Sequence, residues 1–203
     1  KIVGVQSEHA NPVFRYYLDP DSNKRKFKPV HVTSSVAQAA MIGNPVSMPR
    51  VIYLVDQYNT MSGRQNVFFV EVDEQSIMDW ELLANRNGHI ACTHGGESLA
   101  GLVKAINNQF VDPGEVAIVD STAHTLKFSG FQEMYFNDGF PAEFGIKPLP
   151  ELVNAPIYVH PRDLKDVPGP DQPLNQKALK QFIKRISDEI ASVLALRKID
   201  ETT

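Results

Sequence analysis

EVAIVDSTAHTLKF, residues 115–128, is the stretch from which the fold can be predicted. Its continuous apolar run, 116–119, breaks abruptly into small polar residues, which is typical of a buried parallel strand that ends at a site. In open α/β sheets ligands lie beyond the carboxyl ends of the strands, so we expect Ser121, Thr122 and His124 to face a small molecule. The alternative is that these are turn residues that satisfy their own backbone. Position alone favours neither interpretation.

The composition is that of one soluble globular domain. The 203 residues are 42% hydrophobic and 22% charged, which is enough for one sizeable core. Twenty Lys and Arg residues against 24 Asp and Glu residues give a net charge of −4. Because this balance creates no basic field, we expect no nucleic acid and no acidic membrane surface as partner. Small neutral or zwitterionic molecules are the better candidates.

The cysteine count and the first residues indicate which metal sites, disulfides and cellular compartment to expect. A single cysteine, Cys92, excludes an internal disulfide and a multi-thiolate metal site, and no other spacing suggests zinc. A reducing cytoplasm is the simplest setting, and no apolar run is long enough to cross a membrane. The chain opens directly on KIVGVQS, which reads as a buried strand without a targeting segment. We therefore expect a piece of something longer.

Strand and helix patterns alternate along the chain. Because such alternation predicts right-handed crossovers and a parallel sheet, we expect an α/β fold of three layers or part of them. The predicted strands are Ile2 to Val5, with Gly4 allowing a close approach, 66–72 and 116–119. The predicted helices are 33–42, 49–58, 73–85, a segment from about 93 onward, 128–140 and 175–196, with 8–18 helical or irregular and 141–173 a Pro-rich wrapping loop.

The helix that begins near Thr93 carries two open questions. We expect its buried face to be Leu99, Leu102, Val103 and Ile106. Gly95 and Gly96 at its start have two explanations: an anion held on free backbone N–H groups, or close packing. His94 beside them reads as a structural histidine rather than a catalyst.

The last predicted helix, 175–196, is strongly amphipathic, and its apolar stripe predicts a helix docked at the end of the chain. If the stripe is exposed instead, it would be an oligomer contact, for which a homodimer is one candidate. The stripe consists of Leu179, Phe182, Ile183, Ile186, Ile190, Val193 and Leu194.

Three stretches together resemble the later half of threonine synthase, a pyridoxal-phosphate enzyme of fold type II. They are VAQAAMIGNPVSMPRV (36–51), VDEQSIMDWELLANRNGHIACTHGGESLAGLVKA (72–105) and STAHTLKF (121–128), in the order and spacing of the family. The resemblance implies a three-layer parallel sheet flanked by helices, as in the large domain of tryptophan synthase β-like enzymes. Residues 1–128 would then be the carboxyl half of the cofactor-binding domain. Residues 129–203 would be a Pro-rich wrapping segment and terminal helix of the same domain.

The resemblance also implies roles for individual residues. Thr122 falls on the threonine whose hydroxyl hydrogen-bonds the pyridine nitrogen of pyridoxal 5'-phosphate, and Ala39 falls on the alanine that packs against one face of the ring. A neutral partner leaves the ring nitrogen largely unprotonated, which tunes the ring as an electron sink. His124 and Lys127 are implied only as loop support. The family's Schiff-base lysine and glycine-rich phosphate loop would precede Lys1, so we expect no catalytic residue in this chain and no activity without the missing amino-terminal half.

The implied reaction converts O-phosphohomoserine, a phosphorylated amino acid, and water to threonine and phosphate. Two departures from the family put the substrate in doubt: Cys92 stands where many relatives have an acidic residue, and the run 95–97 (GGE) replaces small residues. Cysteate synthase or another enzyme of β/γ-elimination and replacement therefore remains an alternative. A non-catalytic module that binds a small molecule is the alternative from another class.

Overall fold

The computed structural model describes residues 1–159 and 171–196. By its internal contacts the chain divides into two units, Lys1–Asn154 and Ala155–Thr203. The functional boundary predicted after residue 128 is a different division and stays a prediction. The strands are β1 (Ile2–Ser7) and β2 (Val67–Val72), and the α-helices are α1 (Pro12–Tyr17), α2 (Met48–Ser62), α3 (Glu74–Arg86), α4 (Thr93–Asn107), α5 (Ser129–Phe136) and α6 (Gln176–Val193).

The two strands form a parallel sheet, which confirms the α/β class. Ile2 lies opposite Val67 and Ser7 lies opposite Val72, so the strands are in full register. A close approach of another backbone was predicted at Gly4, but the group that lies against this glycine is the side-chain ring of Phe69. Within the described residues the sheet has two strands. The wider three-layer sheet therefore stays a prediction.

The strand predicted at 116–119 is wrong for this structure. These residues have no regular secondary structure, and the side chains of Val116 and Ile118 are 93% and 98% exposed. An apolar run forms a buried strand only where a neighbouring strand supplies hydrogen bonds and layers cover its faces. In the described part of the chain β1 pairs with β2, and no strand lies beside 116–119.

Most predicted helices are present, with shifted ends. Pro12 occupies the first turn of α1, where its missing N–H is not needed. Asp73 caps α3, because its carboxylate accepts a hydrogen bond from the N–H of Ser76 at 2.7 Å. The structure of the Pro-rich loop includes short 3₁₀ helices at Ala142–Phe144 and Pro150–Leu152, whereas its residues 160–170 lie outside the described range.

The second unit contains α6, which was predicted from the sequence. Its cap is Asn175, whose side-chain oxygen accepts a hydrogen bond from the N–H of Ala178 at 3.0 Å. Lys184 and Asp188, one turn apart, form an ion pair of 3.2 Å. No helix in the described part of the chain is both long and apolar enough to cross a membrane.

Helix α4 buries its small residues, contrary to the predicted face. Ala100, Gly101 and Ala105 are buried, whereas Leu102 is partly exposed and Ile106 is 49% exposed. A Cβ on Gly101 would overlap the stiff, branched side chain of Val5 in β1. The small face therefore lets α4 lie directly on the sheet.

Close packing, rather than anion binding, explains Gly95 and Gly96. A Cβ on Gly96 would overlap the carbonyl oxygen of Ile77 in α3, and a Cβ on Gly95 would lie 3.0 Å from the Cβ of Ala91. Both glycines lie in the first turn of α4 and are buried. Close helix packing thus accounts for them without an anion.

A buried glutamate joins α3 to the chain after residue 124. Glu81 is fully buried, and one carboxylate oxygen accepts hydrogen bonds from Gln132 of α5 at 2.9 Å and from the Thr125 hydroxyl at 3.4 Å. Burial raises the pKa of Glu81 to about 7, and the two hydrogen bonds only partly oppose this shift.

We expect Gly101→Ala to destabilise the protein by about 1–3 kcal/mol, since the added methyl group has to displace Val5 or move α4 off the sheet. Urea unfolding followed by circular dichroism measures the change. The matched control is Gly130→Ala in α5, where a Cβ meets nothing within 4 Å. Helix propensity predicts that the control is neutral or more stable by up to about 1 kcal/mol. Equal losses in both variants would contradict the packing argument.

We expect the free energy of unfolding to fall as pH rises from about 5 to 8. The pKa of Glu81 is 4.5 in the unfolded chain and about 7 in the folded protein, so the folded state holds the extra proton and its advantage disappears as pH passes through 7. Relative to wild type, Glu81→Gln should gain stability across this window, by at most roughly 3 kcal/mol. Urea unfolding at several pH values tests this.

The control for this series is Glu133→Gln, which removes one negative charge from an exposed position of α5. The difference between its free energy of unfolding and that of wild type should stay constant over the same pH range. If Glu81→Gln is equally flat, the glutamate is ionised in the folded protein and the assignment is wrong.

Candidate functional site

The first turn of α4 is where the predicted site residues meet. The N–H of Ala39 donates to Nε2 of His94 at 3.1 Å. On the next residue, a Cβ at Gly95 would lie 3.2 Å from Oγ of Ser121. One helical turn thus contacts Ala39 on one side and the neighbour of Thr122 on the other.

His94 is suited to this contact as a neutral imidazole. Burial, and then the charge of Lys127, lower the pKa of His94 below its ordinary value. Nε2 accepts from Ala39, so the ring proton belongs on Nδ1, which lies 3.8 Å from Sγ of Cys92. An imidazolium has no acceptor and would break the bond to Ala39. His94 is therefore a positioning residue, in line with the structural role inferred from the sequence.

Ala39 lies on a short 3₁₀ helix, Gln38–Ala40, and the longer helix predicted at 33–42 is wrong. Two buried side chains bond the backbone of this segment. The Glu74 carboxylate accepts from the N–H of Val36 at 2.7 Å, and the Ser35 hydroxyl accepts from the N–H of Ala37 at 2.9 Å. Side chains that bond nearby backbone groups favour a turn over a helix.

Glu74 also fixes this turn to the sheet. It is 1% exposed, and its second oxygen accepts from the hydroxyl of Ser7, the last residue of β1, at 2.5 Å. One carboxylate thus joins the carboxyl end of β1 to the segment that carries Ala39. The sequence analysis assigned no role to this glutamate, although an acidic residue directly after the cap of a helix was a usable signal.

A second carboxylate lies at the same end of β1. Glu97 of α4 is 6% exposed, and burial raises its pKa to about 7, with a hydrogen bond from the backbone of Ser7 opposing the shift. In the described residues its Oε1 has no hydrogen-bond partner. A protonated carboxyl group at this position costs less to bury than an ionised one.

The structure places the three predicted residues Ser121, Thr122 and His124 differently. Nδ1 of His124 accepts from the N–H of Leu126 at 3.1 Å, so the turn-residue interpretation holds for His124. Ser121 packs beside Gly95, and Thr122 is exposed. Ala39 is also exposed. Their roles towards a cofactor stay predictions.

The first turn of α4 has an aromatic and cationic neighbourhood on the side of His94. The ring of His94 lies 5.4 Å from that of Phe128, and Nζ of Lys127 lies 5.4 Å from the centre of the Phe128 ring. An apolar crevice of about 490 Å³ opens beside Gly95 and Ser121. Its other lining residues include Trp80, Leu83, His89, Leu99 and Val119. The crevice can receive a partly apolar group next to the hydroxyl of Ser121, and neither Ala39 nor Thr122 is among its lining residues.

Comparisons with known proteins identify related sequences. No family model matches the chain. Threonine synthase 2, chloroplastic, of Arabidopsis thaliana is 31% identical over 129 residues, which are 64% of this chain and 23% of that protein. Threonine synthase of Methanocaldococcus jannaschii is 26% identical over 127 residues, which are 63% of this chain and 29% of that protein. The crystal structure of threonine synthase from Escherichia coli matches with a TM-score of 0.48 and 19% identity, covering 74% of this chain and 31% of that one.

The match covers only part of each relative. The chain spans about a quarter of the length of the curated threonine synthases, from 23% to 29%. The resemblance indicated by the three sequence motifs is confirmed, and these residues are related to one region of the threonine synthase family.

Proposed function

We propose that this chain is the carboxyl half of a threonine-synthase-like lyase that uses pyridoxal 5'-phosphate. Its reaction would convert O-phosphohomoserine and water to threonine and phosphate. The observation that carries the proposal is the first turn of α4, which contacts Ala39 through His94 and the Ser121–Thr122 loop through Gly95. The sequence identity of 31% to a threonine synthase supports it independently.

The residues present fit the cofactor. Ala39 is small and exposed, so a flat ring can approach the 3₁₀ turn, whereas a larger side chain would fill that space. Thr122 exposes a hydroxyl that can donate to a ring nitrogen. When bound, pyridoxal phosphate supplies an electron-withdrawing ring that stabilises negative charge at a substrate carbon.

Four residues of this chain would then have one role each. Thr122 would hold the ring nitrogen by a neutral hydrogen bond and leave it largely unprotonated. Ala39 would cover one ring face and exclude water from it. His94 would hold Ala39 in place, and Glu74 would hold the turn on which Ala39 lies.

The covalent and phosphate-binding parts belong to the missing amino-terminal half in this proposal. Lys127, the lysine nearest to the site motif, has its ammonium group above the ring of Phe128. It lies in the last turn of a 3₁₀ helix, Thr125–Phe128, that His124 caps. A three-layer, fold type II sheet would exist in the whole enzyme.

The proposal predicts no activity for the 203 residues alone. Pyridoxal phosphate followed by borohydride should give no single stoichiometric lysine adduct in peptide mass mapping. The full-length protein should release phosphate from O-phosphohomoserine and form threonine in equal amount. A stoichiometric adduct on Lys127 of the isolated chain would contradict the placement of the catalytic lysine. Turnover of phosphoserine instead of O-phosphohomoserine would contradict the substrate.

Replacing Thr122 tests the hydrogen bond to the ring. In the full-length protein we expect Thr122→Val to lower kcat by up to about tenfold, since one hydrogen bond is worth up to about 1.4 kcal/mol. The absorption maximum of the bound cofactor should shift as well. The control is Thr122→Ser, which keeps the hydroxyl and should stay within about threefold of wild type in kcat. If both variants have the same kcat and the same absorption maximum, the Thr122 hydroxyl does not bond the ring.

A further inference from the structure

A single hydroxyl ties the segment 121–125 to two helices. The hydroxyl of Thr125 donates to Oε1 of Glu81 in α3 at 3.4 Å. It accepts from the side-chain amide of Gln132 in α5 at 2.5 Å and from that of Asn85 in α3 at 3.4 Å. Because a hydroxyl has one proton and two lone pairs, these three bonds use its full capacity. The side chain of Thr125 is therefore fixed in direction as well as in place.

The partners of this hydroxyl are themselves held in place. Gln132 also donates to Oε1 of Glu81 at 2.9 Å, so these two side chains and Thr125 close a ring of hydrogen bonds. Asn85 also donates to the carbonyl oxygen of Ala91 at 3.0 Å. Glu81 is fully buried, and Asn85 follows it by one helical turn on the same face of α3. The hydroxyl thus bonds to side chains on two helices rather than to mobile surface groups.

The backbone beside this hydroxyl is bonded to the residues before α4. The N–H of Thr125 donates to the carbonyl oxygen of Ile90 at 3.1 Å, and His124 forms an antiparallel bridge with Ala91. Such a short ladder specifies its own register weakly. A slip by one residue would bring His124 or Leu126 to the place of Thr125, and neither carries a hydroxyl. The side chain of Thr125 therefore selects the register.

Thr122 lies between this anchor and a second one. On the amino-terminal side, Ser121 lies against Gly95 in the first turn of α4. On the carboxyl-terminal side, Thr125 follows after three residues, a distance of at most about 10 Å along the chain. Thr122 is itself exposed, so the direction of its hydroxyl follows from the backbone on either side. A shift at either anchor is therefore passed to Thr122.

We propose that Thr125 is a positioning residue of the reaction, whose hydroxyl holds the 121–125 segment on α3 and α5 and thereby sets where the hydroxyl of Thr122 lies. The inference rests on the proposed function, in which Thr122 bonds the cofactor ring. Thr125 acts only through Thr122. A displacement of about 1 Å at a reacting group is enough to slow a reaction severalfold or more, without loss of any group that touches the ring.

Hydrogen exchange in the cofactor-free 203-residue chain tests the anchor alone. Thr125→Val keeps the shape of the side chain and removes the hydroxyl, which leaves the polar groups of Glu81 and Gln132 short of a partner. We expect the protection of the amide of residue 125, which bonds Ile90, to fall by at least about tenfold. Thr125→Ser keeps the hydroxyl and should stay within about threefold of wild type. NMR exchange spectra measure both.

Kinetics of the full-length protein test the link to Thr122. We expect Thr125→Val to lower kcat by about three- to tenfold and to leave KM for O-phosphohomoserine within about twofold, because the lost interaction orients a group in the transition state. Thr125→Ser should restore kcat. The absorption maximum of the bound cofactor should shift in Thr125→Val in the same direction as in Thr122→Val.

A double variant separates positioning from a general loss of stability. If Thr125 acts only through Thr122, the variant with Thr122→Val and Thr125→Val should have a kcat within about twofold of Thr122→Val alone. Independent effects would multiply instead. The matched control is Thr60→Val, the same chemical change at an exposed position of α2, which should leave kcat and the absorption maximum unchanged.

Gln132→Met breaks the same ring of hydrogen bonds from α5 and keeps Thr125. It should change the exchange at residue 125, kcat and the absorption maximum in the same direction as Thr125→Val. This variant answers the question if Thr125→Val does not fold.

Unchanged protection at residue 125, or a double variant whose loss in kcat is the product of the two single losses, would overturn the inference. So would a Thr125→Val protein that matches Thr60→Val while Thr122→Val shows its expected loss; the proposed function would then stand. Failure of the proposed function is separate. A full-length protein that binds the cofactor but releases no phosphate refutes the activity, and a common absorption shift in Thr122→Val and Thr125→Val would still support the positioning role.

Discussion

The contact between α4 and its neighbours through glycine is the constraint on which the site depends. Gly101 lets α4 lie against Val5 of β1, and Gly96 lets it lie against Ile77 of α3. A helix carrying larger residues at these positions would be held further from the sheet. The first turn would then move away from the end of β1, and His94 could no longer reach Ala39. The geometry of the site thus depends on glycine at two core positions, 96 and 101.

Buried carboxylates fix the loops around this helix. Glu74 holds the turn before Ala39, and Glu81 holds Thr125 and Gln132, so each loop is attached to α3 at a defined point. Hydrogen-bonded carboxyl groups in a low-dielectric interior specify geometry more than they add stability. The cost is a sensitivity of stability to pH, since burial raises the pKa of Glu81 and of Glu97 to about 7.

The large apolar residues of the sheet edge and of α4 are only partly covered. Val116 and Ile118 are exposed, and Leu102 and Leu99 each line a crevice. Apolar surface of this kind normally marks an interaction site. The proposed amino-terminal half accounts for this surface, because the rest of an enzyme would cover it.

The sequence by itself determined the α/β class, β1 and β2, the helices α3 and α6, and the relation to threonine synthases, since these follow from local patterns. It also named Ala39 and Thr122 through the family motifs. Three expectations failed: the strand at 116–119, the helix at 33–42 and the buried face of α4. Each depends on the partners of a segment: a strand needs a neighbour, Glu74 and Ser35 hold Val36 and Ala37 in a turn, and Gly101 permits a contact that Leu102 does not. Only the tertiary structure could decide these, because the deciding partners are distant in the sequence.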